Sequence, residues 1–224
     1  MRVLVGCEES QAVTKELRKL GHEAFSCDIQ ECSGGHPEWH YQRDIFEVIN
    51  MGWDMMIAHP PCTYLALTGQ WMLKENLPHK FREGVLTGAK RQKAREDSIK
   101  FFIDLYNCNI PLVCLENPRS CISSQFRKPD QIIHPYYFGD PAQKATCLWL
   151  KGLPLLKHYM EDDLINQKTW VDVEMITMKS GKKINKWFAD SGKVKIEERS
   201  KSRSKTFPGI AKAIAEQWGG ILKV

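Results

Sequence analysis

The feature that most constrains this chain is a series of short apolar runs that end on polar or rigid residues and are separated by stretches with helical spacing. RVLVGC (Arg2 to Cys7) opens the series as a buried-type strand. SQAVTKELRKLG follows, with Ala12, Val13, Leu17 and Leu20 at helical spacing and Gly21 as the stop, and HEAFSCDI is a second strand ending at Asp28. A β-α-β unit with an acid closing its second strand is of the nucleotide-binding kind. DIFEVIN predicts a short helix and WDMMIAHP a further strand; a polar, basic segment from Lys74 to Lys100 leads into a helix through SIKFFIDLYN, and IPLVCLENP is another buried strand. This alternation predicts an α/β fold with a doubly wound, mostly parallel sheet.

After Pro118 the pattern loosens. QKATCLWLKGLP predicts one more strand, and VEMITMKSGKKINKWF a hairpin with Ser180-Gly181 at its tip. SGKVKIEERSKSRSKTFPG reads as a mobile polar loop, and PGIAKAIAEQWGG as a closing helix with Pro208 near its start and Gly219 near its end. The expected organisation is one domain from 1–156 and 204–224, with 157–203 a small hairpin and loop insertion. The length, 224 residues, suits one such domain with a full core. No apolar run is long enough for a membrane span, and Met1 leads straight into RVLVGC without a signal-peptide pattern. The expectation is a soluble, cytoplasmic protein.

The net charge of +5 admits a polyanionic partner without demanding one. The eight cysteines show no CxxC spacing, and several lie inside apolar runs, as buried thiols do in a reducing compartment. Cys27, Cys32, His36 and His40 lack the paired spacing of a zinc site, so no metal is expected. Cys62 differs from the other cysteines. It follows Pro60-Pro61, which fix φ twice and remove two backbone donors, so the thiol stands on a stiff ledge at a strand end. Glu116, Asn117 and Pro118 end a later strand, and ligands bind beyond the carboxyl ends of strands in such sheets. A thiolate nucleophile and a proton-handling carboxyl group facing one crevice are the parts of covalent catalysis.

RDIFEVINMGWDMMIAHPPCTYLALTG resembles the Asp-Ile and Pro-Cys motifs of the cytosine-C5 DNA methyltransferases, and LENP resembles their Glu-Asn-Val motif. VLVGCEESQAVTKELRKLGHEAFSCDI is similar to their first motif and the acid after it, and KTFPGIAKAIAEQWGG to their last; the length resembles a small phage-type branch. The resemblance implies a Rossmann-like methyltransferase sheet with a reduced recognition insertion. It implies methyl transfer from S-adenosylmethionine to C5 of a flipped cytosine in DNA. Cys62 is then the nucleophile at C6, and Glu116 pairs with N3 and the exocyclic amine. Asn117 positions the Pro-Cys loop, and Pro61 with Pro60 aims the thiol. Gly6, Cys7 and Glu8 would line the methionine part of the donor. Asp28 would bind the ribose, Ile29 pack on adenine, Asp44 accept from the adenine amine with Ile45 beside it, and Pro60 close the other side. Lys182, Lys183, Lys186 and Trp187 are the expected DNA contacts, with KFREGVLTGAKRQKAR either a solvated helix face or a phosphate-contacting segment. Trp71, Trp149, Trp170, Trp187 and Trp218 are mostly core candidates, with Trp187 and Phe188 also the candidates for base or backbone contact.

Some motif positions differ from the family pattern: VGCEES has one glycine, Thr63 follows Cys62, and QKAT (Gln143 to Thr146) carries no arginine for the base carbonyl. Two alternatives therefore stay open: pyrimidine-C5 modification with another donor or on a free nucleotide, and a DNA-binding relative without turnover.

Overall fold

The computed structural model describes residues 1–77, 81, 83–178, 180–195 and 203–220. Its main strands are β1 (Arg2–Gly6), β2 (Glu23–Asp28), β3 (His40–Gln42), β4 (Met55–Ala58), β5 (Leu112–Pro118), β6 (Gln131–Ile133) and β7 (Thr146–Lys151). They form one seven-stranded sheet of order β3-β2-β1-β4-β5-β7-β6. The pairings from β3 to β5 are parallel, whereas β7 runs antiparallel to both β5 and β6. This is the doubly wound, mostly parallel, Rossmann-like sheet expected from the sequence.

Period-two alternation divides the buried strand residues between two faces. Val3, Val5, Met55, Ile57, Cys114 and Leu148 pack against α1 (Ala12–Lys19) and, at the far end of the chain, the helix Pro208–Trp218 through Val13, Leu17, Ile210, Ile214 and Trp218. Leu4, Met56, Val113 and Leu115 face the opposite way, with Val48 of α2 (Ile45–Val48) and Phe102 and Leu105 of α3 (Gly88–Tyr106). β4 is buried on both faces, which is why Met-Met-Ile-Ala reads as an unbroken apolar run.

α3 begins at Gly88, so the basic GAKRQKAR is the front of the helix and not a lead into it. α4 (Ile122–Gln125) is a single turn after β5. The hairpin is present as β8 (Met175–Thr177) and β9 (Lys183–Asn185), a separate two-stranded sheet. Gly181 in its turn has φ +79, a left-handed conformation glycine adopts without a Cβ penalty. The hairpin stops earlier than expected. The Asn185 side chain accepts from Phe188 N (2.9 Å) and caps α5 (Lys186–Lys193), so Trp187 and Phe188 sit on a helix and not on a strand. Ser191 to Lys193, expected in the polar loop, close that helix; the part of the loop at 196–202 lies outside the described residues. The helix Pro208–Trp218, α6 here, has Pro208 in its first turn and Gly219 at its C-cap. Among the tryptophans, Trp149 and Trp218 are fully buried, but Trp71 is 46% exposed beside Phe81. Among the described residues no helix is long and apolar enough to cross a membrane.

Candidate active site

The register of the sheet draws the polar strand ends together. Gly6 lies opposite Ala58 and Ala58 opposite Leu115, so the residues after β1 and β4 meet the end of β5. His59 N donates to Gly6 O (3.0 Å) and Glu8 N to Cys27 O (3.2 Å), carrying the parallel ladders one step past the strands. Glu116 and Asn117 are consecutive in β5 and therefore point to opposite faces. Asn117 is buried, and its Nδ2 donates to Pro60 O (2.7 Å), which ties the proline ledge to the neighbouring strand. Pro60 is buried and Pro61 exposed. Beyond them Cys62 O accepts from Leu65 N (3.1 Å) and Ala66 N (2.9 Å), so the chain turns tightly and leaves the cysteine exposed.

Cys62 opens on a cleft of about 660 Å³, lined also by Thr63, Tyr64, Thr68, Met72 and Arg91. Arg91 lay only within the basic segment in the sequence reading, yet it is the anchor of this loop. It is 4% exposed, donates from Nη2 to Thr63 O (2.8 Å) and from Nη1 to Leu86 O (3.3 Å), and stacks 5.2 Å from the Tyr64 ring centroid. The spacing of α3 thus fixes the backbone next to Cys62.

Glu116 sits on the α6 side in a narrower pocket with His59, Lys144, Thr146 and Phe207. Its Oε2 faces His59 Nδ1 at 3.2 Å, and both side chains are largely buried, at 16% and 9% exposed. Burial alone would raise the Glu116 carboxyl, but the hydrogen bond from His59 and the charges of Lys144 and His59 hold it below the usual carboxylate range. For His59, burial alone would lower the imidazole; the Glu116 hydrogen bond and charge, helped by Glu8, carry it above the ordinary histidine value while Lys144 opposes. Among the described residues, Glu116 Oε1, His59 Nε2 and Asn117 Oδ1 are buried without a hydrogen-bond partner, and buried polar atoms of that kind call for an explanation. The Cys62 thiol is pushed up by desolvation and then by the Glu116 charge, with Lys144 pulling it down. Cys62 and Glu116 therefore feel each other electrostatically while lining two separate cavities.

His59 and Lys144 were not singled out in the sequence. His59 directly precedes the proline ledge, and Lys144 lies within the QKAT segment that lacks an arginine. Lys144 Nζ donates to Arg203 O (3.0 Å) and lies 5.9 Å from the Phe207 ring centroid, so a cation does occupy this side of the pocket.

The residues expected to hold a cofactor separate into two groups. Asp28 ends β2 half-buried, with Oδ1 accepting from Gln30 N (2.9 Å), and Ile29 beside it is 75% exposed. A carboxylate with a second oxygen to offer, next to an apolar side chain held in water, could hold a ribose and a flat heterocycle. Cys7 adjoins them at φ +55, its thiol raised by burial and by Asp28. Glu8 is committed elsewhere: its two oxygens accept from Val13 N (2.7 Å), Thr14 N (3.3 Å) and Thr14 Oγ1 (2.8 Å) at the start of α1. Asp44 caps α2, accepting from Phe46 N (2.9 Å) in a capping box with Glu47. Ile45 is 4% exposed in the core, and a Cβ on Gly6 would overlap its Cδ1. Gly6 is thus small because Ile45 packs on it.

Of the expected DNA contacts, Lys182 and Lys183 are exposed on the hairpin. Lys186 pairs with Glu174 (2.8 Å), and Trp187 packs 5.2 Å from Phe207, which lines the Glu116 pocket. His36 stacks on Trp39 at 3.8 Å, and His40 Nδ1 meets Ser26 Oγ at 2.8 Å, so both rings have structural duties.

No protein-family model matches the chain, and no curated protein does. Among solved structures it is similar to a crystal structure of a mutant of Spodoptera frugiperda DNMT2, with 12% identity and a TM-score of 0.40 over 67% of this chain and 49% of that one. The chain thus spans about half the length of that structure.

Proposed function

We propose that the chain is a pyrimidine-C5 methyltransferase acting on cytosine in DNA, with S-adenosylmethionine as donor and Cys62 as the covalent nucleophile. The observation that carries this reading is geometric: an exposed thiol on a proline ledge that Asn117 clamps to β5, the strand on which the preceding residue, Glu116, holds a buried carboxylate with one oxygen that has no hydrogen-bond partner among the described residues. A carbon such as C5 of cytosine is a poor nucleophile. Addition of the Cys62 thiolate at C6 moves the C5=C6 and N3=C4 π pairs so that N3 takes a proton and C5 becomes enamine-like. Glu116 faces N3 and the exocyclic amine through Oε1. The donor, when bound, supplies an electrophilic methyl group. C5 then loses its proton to a base, the S–C6 bond breaks with its electron pair returning to sulfur, and N3 gives its proton back. Orientation of the thiol by Pro60, Pro61, Asn117 and Arg91 is the chain's largest lever, worth up to roughly 7–11 kcal/mol at the limit for well-aligned groups. Asp28 and Ile29 would hold the adenosine end of the donor. The target base must leave the duplex stack to be reached.

The test is covalent trapping on a duplex carrying 5-fluorocytosine. Fluorine cannot leave as a proton does, so the base stays bonded through C6. A denaturation-resistant species of protein plus DNA should form only with S-adenosylmethionine. Cys62→Ser should abolish it, whereas Cys114→Ser should not, because Cys114 is fully buried in the core. An adduct that persists in Cys62→Ser refutes the assignment. The commitment of Glu8 and Asp44 to helix starts favours one alternative, another donor for the same C5 chemistry. An adduct formed without S-adenosylmethionine but with a different one-carbon donor would select it.

A further inference from the structure

We propose that His59 is the proton reservoir of the Glu116 site: it holds on Nδ1 the proton that the ring nitrogen takes up when Cys62 adds, and hands it over through the Glu116 carboxyl group. The inference rests on the methyltransferase reading for its substrate, but its structural part stands on the pair itself.

The geometry is specific. His59 is the last residue before the proline ledge, and its backbone is fixed by the bond from its N–H to Gly6 O (3.0 Å). Its Nδ1 lies 3.2 Å from Glu116 Oε2, and the other carboxylate oxygen is buried, has no hydrogen-bond partner among the described residues and lies in a narrow pocket lined by Lys144, Thr146 and Phe207. One carboxylate oxygen thus meets an imidazole, and the other is the one the proposal assigns to the base. Burial opposes the imidazolium of His59, and so does Lys144 before β7; the hydrogen bond and charge of Glu116 on β5 outweigh them, with a smaller contribution from Glu8 after β1, whose own carboxyl is pushed up by burial. Glu116 in turn is held ionised by His59 and Lys144. A resting carboxylate has no proton to give, so a base that needs one at N3 must obtain it from elsewhere. His59 is the donor in hydrogen-bond contact.

The proton balance closes with water as the final acceptor. As the Sγ–C6 bond forms, the C5=C6 π pair moves to C4–C5 and the N3=C4 π pair localises on N3. A proton passes from His59 Nδ1 to the carboxyl of Glu116, a rotation about Cγ–Cδ presents it, and N3 takes it. After methyl transfer, C5 gives its proton to water, the freed pair re-forms C5=C6, Cys62 leaves with the S–C6 pair, and the N3 proton returns by the same route to His59. The imidazole is therefore unchanged over a cycle. His59 acts through Glu116 and is a positioning and proton-holding residue; Glu116 is the group that touches the base.

The trapping rate on a 5-fluorocytosine duplex with S-adenosylmethionine, followed from pH 6 to 9.5, tests this. The active form needs Cys62 ionised and His59 protonated, so the wild-type rate should rise and then fall with pH. In His59→Asn the amide still donates to Glu116 but cannot titrate. The rate should fall about 100-fold, the low end of general acid–base effects, and the falling limb should vanish. His59→Gln repeats the test should the shorter amide fold poorly. A wild-type profile without a falling limb, or a falling limb retained in either variant, overturns the proposal. Cys62→Ser, run alongside, separates the two claims: an adduct that survives there refutes the nucleophile and leaves His59 to the next measurement. In ¹⁵N-histidine NMR of the ligand-free protein, His59 should titrate above an ordinary histidine, and Glu116→Gln should bring it down. A His59 that titrates in the ordinary range, or is unmoved by Glu116→Gln, overturns the proposal whatever Cys62 does.

Discussion

Asn117 ties the proline ledge before Cys62 to the neighbouring strand through one amide. Its Nδ2 satisfies Pro60 O across 57 residues of chain, and a buried carbonyl left without its donor costs about 1–3 kcal/mol. Asn117→Leu, close in volume, should therefore lower the thermal midpoint by several degrees, given roughly 2–4 °C per kcal/mol in a chain of this size. It should also slow trapping by more than the loss of stability accounts for, because the thiol is no longer aimed. Differential scanning fluorimetry and the trapping rate measured well below the midpoint separate the two effects, and an unchanged rate would deny Asn117 its aiming role. At this scale the sequence was only partly legible. Cys62 and Glu116 stand out because their neighbours are unusual: two prolines before one, Asn-Pro after the other. His59 and Lys144 do not, since each acquires meaning only from what β5 brings beside it. Glu8 and Asp44 illustrate the converse. An acid at a strand end reads as a ligand, yet the helix that follows needs an anion at its amino end, and the nearest carboxylate supplies it.

Elements were legible where burial imposes a period and obscure where it does not. β1, β2, β4 and β5 are apolar runs because both faces are covered. The front of α3 carries exposed Lys90 and Lys93 beside buried Arg91, a charged pattern in which nothing marks the start at Gly88; α5 was hidden because its Trp-Phe pair extends the apolar pattern of the hairpin. α6 was readable from Pro208 and Gly219, and its seat on the sheet depends on a third signal. Gly209 N donates to Asp140 Oδ2 (2.8 Å), and a Cβ at Gly209 would overlap the Phe138 carbonyl oxygen. Because that neighbour is backbone, it cannot turn aside. Gly209→Ala should cost about 1–3 kcal/mol, the usual range for overpacking, and since Phe207 at the same end lines the Glu116 pocket, trapping should weaken too. Gly192→Ala is the control: it lies on α5 with nothing among the described residues within 4 Å of the added methyl, and should be neutral or slightly stabilising. Equal thermal midpoints for the two variants would show that α6 does not need the close approach.

For the whole molecule, the proposed substrate is a polyanion and the chain carries a net charge of only +5, so affinity has to come from where the lysines stand. On the β8–β9 hairpin, Lys182 and Lys183 are exposed, whereas Lys186 spends its charge on Glu174 at 2.8 Å. Trp187 beside them packs on Phe207, which ties the hairpin region to the wall of the Glu116 pocket. A duplex gripped by the hairpin would therefore lie next to Glu116, the carboxylate proposed to read the flipped base. Binding should weaken steeply with salt, since each neutralised phosphate contributes about −0.9 to the slope of log K against log salt. Lys182→Ala with Lys183→Ala should flatten that slope by roughly 2 and weaken unrelated duplexes alike, because phosphate contacts carry no sequence information. Lys186→Ala should change the slope by less than either, since its partner Glu174 is then freed to repel the backbone while no bare cation is lost. Fluorescence anisotropy over a salt series on two duplexes of different sequence measures all three. A slope unmoved by the double substitution would take DNA off the hairpin and assign the phosphate contacts to another basic surface, with the exposed lysines at the front of α3 the next to be substituted.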